Sequence, residues 1–123
     1  MSELNYSISN GILTWGATHY TATSGPHGKG ALPLGKYTIK TRHVVVGNHL
    51  ASSFKDNMTG NSWFIPLDPV FSTTRSGFGI HPDGNTPGKK GCVGLTGVDA
   101  GNFWLLWNKT PMATRSSTLK VTA

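Results

Sequence analysis

The chain has 123 residues, of which 37% are hydrophobic, and this suits one domain (residues 1–123) with a modest core. The net charge of +6 favours anionic partners such as nucleic acid, cell wall or a membrane surface, although a cationic surface that aids solubility fits equally well. The lack of an 18-residue apolar run excludes a membrane-spanning helix, and a single cysteine excludes an internal disulfide and a cysteine-based zinc cluster.

The first residues, MSELNYSISNG, lack the basic segment and apolar run of a Sec-type signal peptide. We therefore expect a protein that is made in the cytoplasm without a Sec signal. If it acts in the periplasm or cell wall, it reaches that place after release or secretion by another route.

Short strands separated by turns are predicted along most of the chain. Alternation of Leu4, Tyr6 and Ile8 predicts the first strand. Asn10-Gly11 is a hairpin signal, and the second strand is predicted from Ile12 to Tyr20. The later strand candidates, in chain order, are KYTIKTRHVVVG, SWFIPLD, SGFGIH and STLKVTA.

Helical periodicity is convincing only in TGVDAGNFWLLWNK, where Val98, Phe103 and Trp107 can share one face. Thr96 or Asp99 would lie near the N-cap of this helix. The sequence therefore predicts a mostly-β domain, a β-sandwich or barrel, with one short helix that follows the single cysteine.

The segment GIHPDGNTPGKKGCVGL contains that cysteine, Cys92, eleven positions after His81. A thiol becomes a nucleophile as the thiolate, which needs a base or a positive environment. The turn-rich stretch between the two residues could bring Cys92 back beside His81, and Lys89 and Lys90 would favour the thiolate if they point towards it. The alternative is a metal-free surface loop with a neutral cysteine, and a lone cysteine is in general more often a buried small hydrophobe than a catalyst.

Glycine before the cysteine adds to the chemical interpretation. Gly91 permits an unusual backbone angle and leaves space for a substrate. The backbone N–H groups of Gly91, Cys92 and Val93 could then stabilise a tetrahedral oxyanion.

The segment KKGCVGLTGVDAGNFWLLW resembles the signature of the L,D-transpeptidase catalytic domain: an upstream histidine, then Gly-Cys, an aliphatic residue and a helix that opens with Asp-Ala. GALPLGKYTIKT resembles the family's Pro-x-Gly-x-Tyr/Phe-x-Ile strand. NGILTWGATHYTATSG is similar to the opening of a compact branch found among type VI secretion effectors and phage lysis proteins. The chain departs from the pattern at Lys89-Lys90, which replace a Ser/Thr-His pair, at Gly94, which replaces a frequent arginine, and at Pro82, which follows the histidine.

The resemblance implies a β fold of L,D-transpeptidase type and a cysteine peptidase or acyltransferase acting on the L,D-peptide bonds of peptidoglycan stem peptides. Cys92 would attack the substrate carbonyl, and His81 would take the thiol proton and later protonate the leaving amine. A backbone carbonyl or a hydroxyl orients the imidazole in this family, and Ser76 and Gly77 are candidates. Asp83 is the nearest carboxylate, but a turn with the following glycine suits it better.

Substrate contacts are assigned to four residues, namely Tyr37, Gly79, Lys89 and Lys90. For Tyr37 the alternative is a packed core aromatic. We expect no metal and no cofactor, because the histidines lack metal-ligand spacing.

Three functions remain open at this point. The first is a stem-peptide hydrolase, an L,D-carboxypeptidase or endopeptidase used as a phage endolysin or antibacterial effector. The second is an L,D-transpeptidase that cross-links peptidoglycan or exchanges its D-amino acids, and the third is a non-catalytic cationic module that binds wall or nucleic acid. The enzymatic hypotheses imply a monomer with stem peptides as partners, no nucleic acid, and an immunity protein if it is an effector.

Overall fold

A computed structural model of the protein describes residues 3–24, 32–47, 60, 62–73, 77–82 and 92–123. Over these residues the fold is mostly β with one α-helix, α1 (Val98–Lys109), and a 3-10 turn at Met112–Thr114. The strands are β1 (Leu4–Ser7), β2 (Ile12–Trp15), β3 (Thr18–Thr23), β4 (Gly35–Ile39), β5 (Val45–Val46), β6 (Trp63–Pro69), β7 (Gly79–Pro82), β8 (Cys92–Leu95) and β9 (Thr118–Thr122). The predictions of a mostly-β fold and of a short helix after Cys92 are confirmed.

Eight of the described strands close into a barrel in the order β4-β9-β1-β2-β3-β8-β7-β6, and the pairing of β6 with β4 completes the ring. The two-residue strand β5 pairs with β6 beside this ring. β1 pairs with β9, and β7 with β8, in parallel; the other pairings of the described part are antiparallel. The architecture is thus a closed barrel and not an open sandwich of two sheets.

Alternation along the strands fills the barrel interior. In β6, Trp63, Ile65 and Leu67 are buried, whereas the intervening Phe64 and Pro66 are half-buried on the other face. Each large apolar side chain removed from water in this way contributes about 1.5–3 kcal/mol. The period of two therefore separates a core face, which stabilises the fold, from an outer face that points away from the barrel interior.

Helix α1 closes the core with aromatic side chains. Trp63 stacks on Trp104 with ring centroids 4.7 Å apart, and Trp15 packs edge-on against Trp107 at 5.9 Å. Trp63, Trp104 and Trp107 are all buried in this core. Val98 is 65% exposed, so the expectation that it shares the buried face of Phe103 is wrong. Within the described part of the chain, no helix combines the length and the hydropathy that crossing a membrane requires.

Two predicted strands are in fact pairs of strands. The segment from Ile12 to Tyr20 turns at Gly16, whose φ of 60° suits glycine, and so forms β2 and β3. Likewise KYTIKTRHVVVG contains the end of β4, a turn and β5. Strand β8 has no counterpart among the predicted strands, because its glycine, Gly94, and its short length hide the alternation.

The start of α1 is attached to β3 by a carboxylate. Gly97 is the N-cap, with φ 58°, and Thr96 and Asp99 lie near it, as expected. Asp99 lies in the first turn, where Oδ2 accepts a hydrogen bond of 2.7 Å from the backbone N–H of Thr21. Burial and the nearby charge of Asp99 both raise the pKa of Tyr20.

We predict that Asp99→Ala lowers the free energy of unfolding by about 1–2 kcal/mol, since it removes a charged acceptor and a favourable charge at a helix N-terminus. Asp99→Asn should lose less, because its amide oxygen can still accept from Thr21. Urea denaturation followed by tryptophan fluorescence measures both. Asn102→Ala, at an exposed position of the same helix, is the matched control, and an equal loss in Asp99→Ala and Asn102→Ala would contradict the prediction.

Candidate active site

Two neighbouring parallel strands carry the residues that the sequence singled out. In the pairing of β7 with β8, Gly79 lies opposite Cys92 and His81 lies opposite Gly94. Successive residues of a strand alternate between its two faces, so these four positions belong to one face of the sheet. Positions 81 and 92 are diagonal neighbours, with Cα atoms about 8 Å apart from the spacings of strands and of residues along them.

Burial on the opposite face explains this register. Ile80, Val93 and Leu95 have no exposed surface and point into the barrel core. Because side-chain direction has a period of two, burying these three residues places positions 81 and 92 on the outer face together. A slip of one residue in β8 would move Val93 out of the core and position 92 into it.

His81 is itself fully buried and is held by the next residue in the chain. Its Nδ1 lies 2.6 Å from the carbonyl oxygen of Pro82. A carbonyl can only accept a hydrogen bond, so Nδ1 carries the proton. The neutral imidazole then has its lone pair on Nε2, which is the nitrogen that can take a proton from a thiol.

The backbone position of Pro82 explains why its carbonyl can accept a hydrogen bond from His81. Phe78, two residues before Ile80, directs its carbonyl to β6, where it accepts from the N–H of Leu67 at 3.0 Å. By alternation the backbone of Pro82 also faces β6, but the pairing of β6 with β7 ends at Ile80. Pro82 has no N–H, and its carbonyl is outside the ladder, so that carbonyl accepts from His81.

Backbone directions also correct the oxyanion prediction. The N–H of Thr96 donates to the carbonyl of Thr21 on β3 at 3.1 Å. Since N–H groups alternate in direction along a strand, the N–H of Val93 faces β7 and belongs to the β7–β8 ladder. The oxyanion role predicted for Val93 is therefore wrong. The N–H of Cys92 lies on the β3 side, whereas Gly91 lies outside the described residues.

Other predicted site residues divide into two groups. Ser76, Lys89 and Lys90 lie outside the described residues. Tyr37 is fully buried, and its hydroxyl donates to the carbonyl of Pro33 at 2.7 Å. Tyr37 is therefore a packed core aromatic, the alternative considered above, and its assignment to substrate binding is corrected.

Phe64 is a neighbour of His81 that sequence reasoning missed. The ring centroids of Phe64 and His81 lie 5.9 Å apart and their planes are within 11°. Phe64 also lies over Gly79, where an added Cβ would come within 2.6 Å of the Phe64 ring. The Phe64 ring thus covers Gly79, so the sequence-based assignment of Gly79 to substrate contact is corrected. The alternation in SWFIPLD, which places Phe64 between the core residues Trp63 and Ile65, is the sequence signal that could have predicted Phe64 on the outer face.

Comparison with known proteins does not assign this chain to a family. No family model matches the chain, and no curated protein matches its sequence. Among the described residues, no three His, Cys, Asp or Glu side chains lie together as a metal site. What the described site can perform is proton transfer at His81 next to the backbone position of a cysteine.

We predict that neutral His81 carries its proton on Nδ1, because the Pro82 carbonyl requires a donor there. Free neutral histidine favours a proton on Nε2, so the two cases are distinct. Long-range ¹H–¹⁵N correlation spectra, recorded above the pH at which the imidazoles titrate, identify the tautomer of each ring. Exposed His43 is the internal control and should show the Nε2–H form; the same form at His81 would contradict the assigned hydrogen bond.

Proposed function

We propose that the protein is a cysteine-dependent hydrolase that cuts L,D-peptide bonds in the stem peptides of peptidoglycan, on a barrel of L,D-transpeptidase type. The observation that carries the proposal is the register of β7 and β8, in which position 92 and His81 are diagonal neighbours on one face. The Pro82 carbonyl supports it, because it leaves Nε2 of His81 as the proton acceptor.

In the proposed acylation step, Nε2 of His81 takes the proton of the Cys92 thiol as the sulfur attacks the carbonyl carbon of the L-residue. The N–H of Cys92, which faces away from the β7–β8 ladder, stabilises the oxyanion together with Gly91. The imidazolium then protonates the amine of the D-residue as the C–N bond breaks. A thioester of Cys92 and a free D-amino acid or peptide result.

In the proposed deacylation step, His81 takes a proton from water, whose oxygen attacks the thioester carbonyl. Collapse of the second tetrahedral intermediate releases the carboxylic acid, and the proton returns to the Cys92 sulfur. We propose water as the acceptor because of two departures from the L,D-transpeptidase pattern that the chain resembles. Gly94 stands in place of an arginine, and Lys89-Lys90 in place of a Ser/Thr-His pair. The chain thus lacks the side chains that distinguish the transpeptidase pattern.

The net charge of +6 supports action at the cell wall. A cationic surface is attracted to the anionic polymers of bacterial envelopes over distances of about a Debye length, near 8 Å at physiological salt. We propose that the protein meets peptidoglycan in the periplasm or wall after release or secretion, as an endolysin or antibacterial effector does.

We predict that Cys92→Ala abolishes the release of fragments from purified sacculi and that His81→Gln lowers it by roughly a hundredfold or more. Mass spectrometry of the muropeptides measures this, with circular dichroism to show that each variant is folded. His43→Gln, the same substitution at an exposed histidine, is the matched control and should retain full activity.

The products decide between the open alternatives. Loss of terminal D-alanine, or cut L,D cross-links with gain of water, supports hydrolysis. Incorporation of an added D-amino acid in place of water would identify a transpeptidase. Full activity in Cys92→Ala, or salt-sensitive binding to sacculi without any cleavage by the wild type, would contradict the enzymatic proposal.

A further inference from the structure

We infer that Phe64 is a positioning residue for His81, whose ring sets the plane of the imidazole and favours its protonated form. The inference rests on the proposed function, in which His81 exchanges protons with Cys92. Phe64 acts through His81 and is not itself assigned a contact with the reacting atoms.

Strand register brings the two rings together. Ile65 pairs with Ile80 at the end of the antiparallel ladder of β6 and β7, so Phe64 and His81 are the residues that follow this last pair in register. Residues directly opposite in such a ladder project from the same face, within reach of each other's side chains. The ring planes are within 11° of parallel and the centroids are 5.9 Å apart, so the two rings are stacked.

Gly79 makes this arrangement possible. The Phe64 ring covers the Cα of Gly79, and an added Cβ would meet both Cε atoms of the ring at 2.6 Å. Any side chain at position 79 would therefore displace the ring from its place beside His81. Gly79 has no positive φ, so the lack of a side chain, and not a special backbone angle, is what the site requires.

Two contacts of different direction then fix the imidazole. The hydrogen bond from Nδ1 to the Pro82 carbonyl limits rotation within the ring plane. The parallel ring of Phe64 limits the tilt of that plane. Together they determine where the Nε2 lone pair points, and a fixed direction is what proton transfer to and from a reacting group needs.

The Phe64 ring also responds to the charge on His81. The face of an aromatic ring is electron-rich, and a cation within about 6 Å of its centroid is stabilised. The centroid separation of 5.9 Å meets this distance. The described strands beside β7 place Phe64 and Pro66 of β6, and positions 92 and 94 of β8, on this face, and position 92 carries the thiol of the proposed pair. Phe64 thus favours the thiolate–imidazolium pair over the neutral pair.

A second ring of the protein supplies the control. Phe71 is half-buried like Phe64 and also lies over a glycine, Gly35, whose added Cβ would come within 2.8 Å. Phe71 meets the buried Tyr37 edge-on, at 86°. Replacing either phenylalanine by leucine removes a comparable ring, but only one replacement touches His81.

The test follows the rate of Cys92 alkylation by iodoacetamide against pH. Phe64→Leu should raise the pH of half-maximal alkylation by roughly half a unit, because the imidazolium loses a stabilising ring. It should also lower kcat on muropeptides by roughly two- to fivefold with little change in KM. Phe64→Tyr, which keeps an aromatic ring, should have the wild-type alkylation midpoint and kcat. Phe71→Leu should leave the alkylation midpoint unchanged.

Gly79→Ala provides an independent arm in which the Phe64 ring is displaced and not removed. It should shift the midpoint in the same direction as Phe64→Leu. The double variant Phe64→Leu/Gly79→Ala should shift it no further than Phe64→Leu alone, because the displaced ring is already gone. An additive shift would overturn the inference. Gly79→Ala alone keeps the test decisive if Phe64→Leu fails to fold, because an unchanged midpoint in Gly79→Ala would overturn the inference.

His81→Ala separates failure of this inference from failure of the proposed function. If His81→Ala alkylates with the pH profile of the wild type, no Cys–His pair exists and the proposed function fails. If His81→Ala shifts the profile but Phe64→Leu does not, only the role of Phe64 is overturned. A raised KM in Phe64→Leu with an unchanged midpoint would likewise overturn it, since the ring would then contact substrate.

Discussion

The parallel pairing of β7 with β8 is the constraint on which the candidate site depends. Neither His81 nor Cys92 sets this register; it follows from Ile80, Val93 and Leu95, which are buried on the other face of the same two strands. The period of two in a strand converts that burial into a common outer face for positions 81 and 92. The hydrophobic effect at three aliphatic residues thus places positions 81 and 92 on the same face of the sheet.

Elements around β8 restrict its movement. The strand lies between β3 and β7 in a closed ring, so any slip would break hydrogen bonds on both sides. Its C-terminal end leads directly into α1, whose first turn is tied to β3 by the hydrogen bond from the Thr21 N–H to Asp99. The aromatic side chains of α1 are buried against Trp63, and this packing anchors the helix in turn. A register error in β8 would therefore disturb the core, the ladder and the helix together.

Short-range sequence signals predicted the presence of the strands and the helix better than the residues at which they begin and end. The hairpin at Asn10-Gly11, the strand around Leu119 and the helix after Cys92 are each visible as short-range signals, and the structure contains them. The break at Gly16 was missed because apolar and β-branched residues continue across it. The N-cap at Gly97 was missed because a left-handed backbone angle there, and not a capping side chain, begins the helix. Phe64 was missed because its partner lies seventeen residues away and is selected by ladder register.

By itself the sequence determined that the chain is short-stranded and cationic, and that one thiol follows one histidine within a glycine-rich stretch. These properties depend on residue type and spacing, which are local. Tertiary structure alone decided that β7 and β8 run in parallel and that the Pro82 carbonyl accepts a hydrogen bond from Nδ1 of His81. It also decided that the N–H of Val93 faces β7, within the β7–β8 ladder. Those outcomes depend on which strands become neighbours and in what register. That choice is made by burying residues far apart in the chain in one core, a collective effect that no single segment encodes.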